Sequence, residues 1–223
     1  MWHEWRRLTR LLGSARLAFN TEVEKCEAVY VGTSNSEHVL TLEEAGSIYE
    51  TNLHDHITTL KDTDILYQMA LIKSYDLMEL HAKMVRYISE NKKWHLLSGN
   101  LSTEEQKELE TMRLEGGIEA WSQKLMRYLF QDWSRVYKGQ TGLIEIAKVR
   151  NLLVHGYTHV PAMAVREAQA QEIPFPFAPE QRIAIDFPCL HEYRGRIRSF
   201  CRILGDGVVH LHRNSHEAAP TSK

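Results

Sequence analysis

Apolar positions recur three and four residues apart along much of this chain, the spacing that lines up one face of a helix. From Asp64 to about Asn91 the repeat runs through Met69, Ile72, Leu77, Leu80, Met84, Tyr87 and Ile88. From Ile118 to Tyr137 it runs through Ile118, Trp121, Leu125, Tyr128, Leu129 and Val136, with Gly116-Gly117 breaking the chain in front. A third helix is expected from about Thr141 to Val154, with Gly139 and Gly142 before it and Gly156 behind. Gly156 stands where a C-cap belongs, because glycine reaches the left-handed conformation cheaply. Residues 2–28 carry Trp5, Leu8, Leu12, Ala15 and Phe19 at amphipathic spacing. A last helix is expected from about Cys189 to Leu204, its continuation to His212 weakened by Gly205 and Gly207.

Proline placement sharpens the pattern. All six prolines follow residue 160, so the first 160 residues are free to form long helices. Residues 172–188, EIPFPFAPEQRIAIDFP, combine prolines with an alternating RIAIDF and predict a loop or short edge strand. The expected fold is an all-α helical bundle. Residues 1–35 form an N-terminal helical extension closed by the loop VGTSNS at 31–36. Residues 36–212 form the helical domain, with the proline-rich insertion before its last helix, and 213–223 a disordered tail.

Composition removes several function classes. The 223 residues hold 27 Lys+Arg against 29 Asp+Glu, so bulk positive charge cannot drive nucleic-acid binding and a local patch must. No apolar run approaches the roughly 18–20 residues that span a bilayer, and MWHEWRRLTRLL lacks the apolar core of a signal peptide. Cys26, Cys189 and Cys201 form no CxxC pair, so a disulfide framework and a zinc ribbon are not expected; a reducing cytoplasm is the simplest fit. His54-x-His56 and His210-x-His212-x3-His216 are set aside as metal sites. The first pair points to different helix faces, and the second lies near a fraying end. No metal and no cofactor is expected, and no P-loop, GxGxxG or serine nucleophile elbow is present.

The near-neutral balance also conceals an uneven distribution. Residues 36–62 hold six acids and one lysine, whereas 134–170 hold five basic residues and two acids, and 182–213 six arginines and three acids. Solvated helix faces can differ this way by chance. The sharper reading is a polyanion-binding cleft lined by Lys148, Arg150, Arg166, Arg194, Arg196, Arg198 and Arg202.

The segment TGLIEIAKVRNLLVHGY at 141–157 carries the chemistry. On a helical wheel Leu143, Ile146, Ala147 and Val154 share a stripe, and Arg150 falls in its middle. An arginine there must meet a carboxylate, cross an interface or open into a cleft. Asn151 and His155 lie at i,i+4 on the adjoining face. Histidine can hold and release a proton near neutral pH.

Arg150-Asn151-Leu152-Leu153-Val154-His155 resembles the R-x4-6-H motif of the HEPN superfamily, including the frequent Asn after the Arg. The upstream IEIAKV, the following Gly156 and the helix IKSYDLMELHAK at 72–83 also look like this family, over roughly residues 60–205. The resemblance implies an all-α homodimer whose two motifs meet near the interface and, in many members, a metal-independent endoribonuclease. It makes Arg150, Asn151 and His155 the catalytic residues, with Lys148, Arg166, Arg194 and Arg198 as candidate RNA contacts. It implies a toxin or antiphage effector that cleaves RNA to a 2′,3′-cyclic phosphate. Its alternative is a non-catalytic HEPN module that binds a nucleotide, RNA or a protein partner. Tyr157 completes R-x4-H-x-Y, which resembles toxins silenced by adenylylation of this tyrosine by a nucleotidyltransferase-type antitoxin; without the resemblance, a tyrosine two past a helix-ending histidine reads as an ordinary packing residue. This chain is longer than those toxins.

Overall fold

The structure, a computed structural model, describes residues 1–32, 39–44, 47–98 and 101–217. In chain order it forms α1 (Trp2–Gly32), β1 (Val39–Glu44), β2 (Ser47–Asn52), α2 (Leu53–Lys61), α3 (Asp64–Glu90), α4 (Thr103–Thr111), α5 (Ile118–Tyr128), α6 (Gly139–Val154), α7 (Ala162–Ala170) and α8 (Phe187–Glu217). The fold is all-α, with one two-stranded sheet among the described residues. No helix is long and apolar enough to cross a membrane. The chain divides into two compact units, Trp2–Ala70 and the residues from Leu71 onward. The expected boundary near residue 35 lies outside the described residues, and the division found falls later, within α3.

The first unit holds α1, the hairpin, α2 and the first turns of α3. β1 and β2 pair antiparallel, with Val39 opposite Asn52 and Glu44 opposite Ser47. This hairpin was not foreseen from the sequence. α2 begins at a side-chain cap, Asn52 Oδ1 accepting from the Asp55 amide at 2.7 Å. Lys61 on α2 reaches Glu27 on α1 at 2.6 Å.

The second unit is built around α6, which α5 and α8 flank. α6 buries Gly142 through Ala147, then Val149 and Leu152, so it is enclosed on nearly all sides rather than along one stripe. Val154, assigned to the stripe, is exposed. Phe200 of α8 lies at the core, stacked on Trp133 with ring centroids 5.6 Å apart and tilted against Trp121 at 6.1 Å. The buried face of α3 runs through Leu71, Tyr75, Met78, Ala82, Val85 and Ile88; Met69 and Leu80 are exposed, contrary to the expected stripe.

Two helix ends differ from expectation. α5 stops at Tyr128 rather than running to Tyr137, because Phe130 takes φ +54° and the Gln131 and Phe130 amides fold back onto the Met126 and Arg127 carbonyls. α8 runs unbroken to Glu217, so residues 213–217 are helical; the rest of the expected tail lies outside the described residues. Residues 182–187 form no strand, yet Ile183 and Ile185 are buried and Ala184 and Asp186 exposed, as the alternation implies. One bridge joins Arg182 to His159.

α3 and α8 are joined where His81 Nε2 meets the Cys201 carbonyl at 2.9 Å. Burial holds the His81 imidazole at about 4, below the 6.5 of an unfolded chain, and the carbonyl only partly offsets this. The unfolded chain therefore binds more protons between those values, and stability falls as pH drops through the window. The expected loss is about 3 kcal/mol. Urea unfolding across the window checks it, and a His81→Gln protein should show a flatter slope.

Candidate active site

Gly156 sets the end of the motif helix. It takes φ +77°, its amide bonds the Leu153 carbonyl at 3.0 Å, and the Tyr157 amide bonds the Leu152 carbonyl at 3.0 Å. This double closure is the Schellman motif, and it places His155 at the C-cap and turns the chain away after Gly156.

One turn earlier, Arg150 leaves the buried body of α6 and meets a carboxylate. Its Nη2 donates to Asp76 Oδ1 of α3 at 3.0 Å, and its Nη1 donates to Asn151 Oδ1 at 3.3 Å. The guanidinium lies over the Tyr75 ring, 5.2 Å from the centroid. Its Nε is buried with no acceptor among the described residues, so the fork is only partly satisfied.

Arg150 and Asn151 line a cleft of about 310 Å³ together with Lys148, Glu79, Tyr75 and Glu119. Gly116 and Gly117 form part of its wall. Gly117 is the N-cap of α5 and offers no side chain to cover the first amides of that helix, so the positive end of α5 borders the cleft. Two cations, an amide side chain and a helix N-terminus thus share one space with the carboxyl groups of Glu79 and Glu119. Burial pushes the Glu79 carboxyl above its ordinary value; Asp76 adds to the rise, while Arg150, Lys83 and the Tyr75 hydroxyl oppose it. Burial, then Glu79, raises the Tyr75 hydroxyl as well.

His155 is exposed and is not among the residues lining this cleft, and Tyr157 is 48% exposed. Of the four candidate RNA contacts, Lys148 lines the cleft, whereas Arg166 of α7 and Arg194 and Arg198 of α8 do not. Arg166 and Arg198 are exposed; Arg194 is half-buried, and burial with Arg198 nearby lowers its proton affinity. Arg196, grouped with them by sequence, is instead buried in an ion pair with Glu145 at 2.6 Å. His212 stacks on Trp94 with centroids 5.0 Å apart, His210 bonds Asn214 at 3.1 Å, and the His216 side chain lies outside the described residues.

Asp76, Tyr75, Glu119 and the open start of α5 were missed from sequence. Asp76 shares a helix face with Glu79 three residues on, which was the available signal. Gly116-Gly117 was read only as a break between helices. Searches against protein-family models, curated proteins and solved structures give no match to this chain.

Proposed function

We propose that the chain is a HEPN-type endoribonuclease that cleaves RNA by internal transesterification, as a toxin or antiphage effector. The observation that carries this reading is the Arg150 fork, held by Asp76 and only partly satisfied, in a cleft that also receives Lys148, Asn151 and the α5 N-terminus. Such a set of donors suits a phosphodiester and the charge that grows on it during attack.

In the reaction the 2′-oxygen attacks the adjacent phosphorus while His155 takes the hydroxyl proton or gives the leaving 5′-oxygen its proton. The P–O5′ bond breaks, the departing oxygen receives a proton, and the products are a 2′,3′-cyclic phosphate and a 5′-hydroxyl. The nucleophile is the RNA's own hydroxyl, so no metal is needed to generate it. Arg150 holds the phosphate and Asn151 orients a phosphate oxygen or His155.

Two copies of the motif would complete the site. His155 stands outside the cleft of its own Arg150, and exposed Val154 and Tyr157 flank it, which supports a homodimer with motifs apposed. The exposed Tyr157 is compatible with silencing by a nucleotidyltransferase-type antitoxin. The position of His155 equally favours the alternative, a non-catalytic HEPN module whose cleft binds a nucleotide, RNA or a protein partner.

Incubation of purified protein with RNA, without added divalent metal, decides between them. The ribonuclease reading expects fragments ending in 2′,3′-cyclic phosphate and 5′-hydroxyl, and RNA left intact or cut to 3′-hydroxyl ends contradicts it. Intact-mass measurement after co-expression with an adjacent nucleotidyltransferase gene tests the antitoxin pairing, and an unmodified Tyr157 counts against it.

A further inference from the structure

We propose that Glu22, Cys26 and His56 form a zinc site that clasps α1 to α2. It lies wholly within the first unit and is independent of the ribonuclease reading.

Glu22 and Cys26 are one turn apart on α1 and so share a face, while His56 comes from the first half of α2. One ligand atom from each residue, the carboxylate oxygen, the sulfur and a ring nitrogen, lies within 4.8 Å of the other two. Zinc takes sulfur at about 2.3 Å and nitrogen or oxygen at about 2.0–2.2 Å in a tetrahedron, which sets ligand atoms roughly 3.3–3.8 Å apart. Closure from the observed spacing needs side-chain movements of about 1 Å; Cys26 Sγ already lies 3.8 Å from Glu22 Oε1, and Glu22 and His56 are half-buried. Among the described residues this is the group of three such side chains whose ligand atoms come within 4.8 Å of one another.

The donor set points to zinc among the divalent ions. A thiolate with an imidazole suits zinc, whereas magnesium and calcium take oxygen ligands. Thiolate and carboxylate together carry two negative charges, so zinc leaves the clasp neutral. Cys26 is only 6% exposed and forms the dry side. Glu22 and His56 are half-buried, so water would serve as the fourth ligand. The Lys61–Glu27 ion pair joins the same two helices, so α2 is held against α1 in the orientation the clasp requires. Sequence spacing concealed the site because it paired His56 with His54, which is exposed on another face.

The test is cobalt substitution in the full-length protein after chelation and desalting. Cobalt(II) alone should bind with a near-ultraviolet thiolate-to-cobalt charge-transfer band and tetrahedral visible bands, and zinc should displace it at one ion per chain. Cys26→Ser should abolish the charge-transfer band, and His56→Ala or Glu22→Gln should weaken affinity by at least about tenfold. Zinc should raise the melting temperature of the wild type and not of His56→Ala. A His210→Ala, His212→Ala protein should behave as wild type. Absence of the charge-transfer band in the wild type overturns the proposal even where Cys26→Ser fails to fold, and so does a band that survives in Cys26→Ser.

Discussion

Arg196→Met should destabilise the protein by about 3–5 kcal/mol, the cost of leaving a buried carboxylate without its cation. Glu145 is 3% exposed and Arg196 7%. Arg196 Nη1 donates to Glu145 Oε2 at 2.6 Å, Tyr193 donates to Glu145 Oε1 at 2.9 Å, and Arg196 Nη2 reaches Glu192 at 2.6 Å. Burial alone would lower the proton affinity of Arg196, but Glu192 and Glu145 outweigh it and the net shift is upward. Burial, with the Glu145 carboxylate adding to it, raises the Tyr193 hydroxyl. Both ends of the guanidinium are therefore paired in the middle of the second unit, while Arg196 Nε is buried with no acceptor among the described residues.

The reciprocal change should be milder. Glu145→Gln keeps an acceptor for Tyr193, and Arg196 keeps Glu192, so a loss of about 1–2 kcal/mol is expected. The double variant Glu145→Leu, Arg196→Met should recover most of what Arg196→Met loses, since a buried pair replaced by apolar side chains is often near neutral. Urea unfolding of the three proteins measures this. An Arg196→Met loss no larger than that of the exposed Arg202→Met would contradict the account.

That pair also marks where sequence reasoning runs out. On the wheel Glu145 falls opposite the apolar stripe of α6, and Arg196 belongs to an arginine-rich run that the sequence assigns to a polyanion-binding cleft. The reading assumes a helix with one buried face, whereas α6 is enclosed nearly all round. α6 itself was legible, because Gly139 and Gly156 sit at its ends and the C-cap needs φ > 0 at Gly156. α5 was overextended because its stop is Phe130, a left-handed residue with no glycine to announce it. α8 was cut short for the opposite reason. Gly207 interrupts no helix; a Cβ there would stand 2.9 Å from Leu129 Cβ and 3.0 Å from Gln131 Cγ, so this glycine serves packing. α4 carried a readable signal in Ser102 and Glu105, a complete capping box, that hydrophobic spacing alone passes over. At the site, the motif and the need of Arg150 for a carboxylate, an interface or a cleft were legible, while Asp76 and the α5 N-terminus depend on tertiary contact.

On the proposed ribonuclease reading, Arg150→Ala is expected to reduce RNA cleavage by about 10²–10³-fold, the scale of removing one preorganised donor from a developing oxyanion. His155→Ala should do at least as much, since proton transfer by a positioned side chain contributes about 10²–10⁴-fold. The fold should hardly register the arginine change. Its ion pair is partly solvated, with side chains 24% and 44% exposed for Arg150 and Asp76, and pairs of that kind contribute at most about 1 kcal/mol. Arg150 thus differs from Arg196, which is held for stability by a carboxylate that has nowhere else to go. Arg150→Lys keeps the charge but loses the planar fork, so it should recover binding of RNA before it recovers turnover. Asp76→Asn separates positioning from competition. It retains an oxygen to accept from Nη2 while removing the negative charge that a phosphate must face, so the expected result is a lower KM with kcat nearly preserved. Asp76→Ala frees the fork and should instead lower kcat. Steady-state cleavage kinetics and urea unfolding on the same preparations give both readouts. Arg150→Ala that unfolds as readily as Arg196→Met yet cleaves RNA normally would make Arg150 a structural residue and remove it from the site.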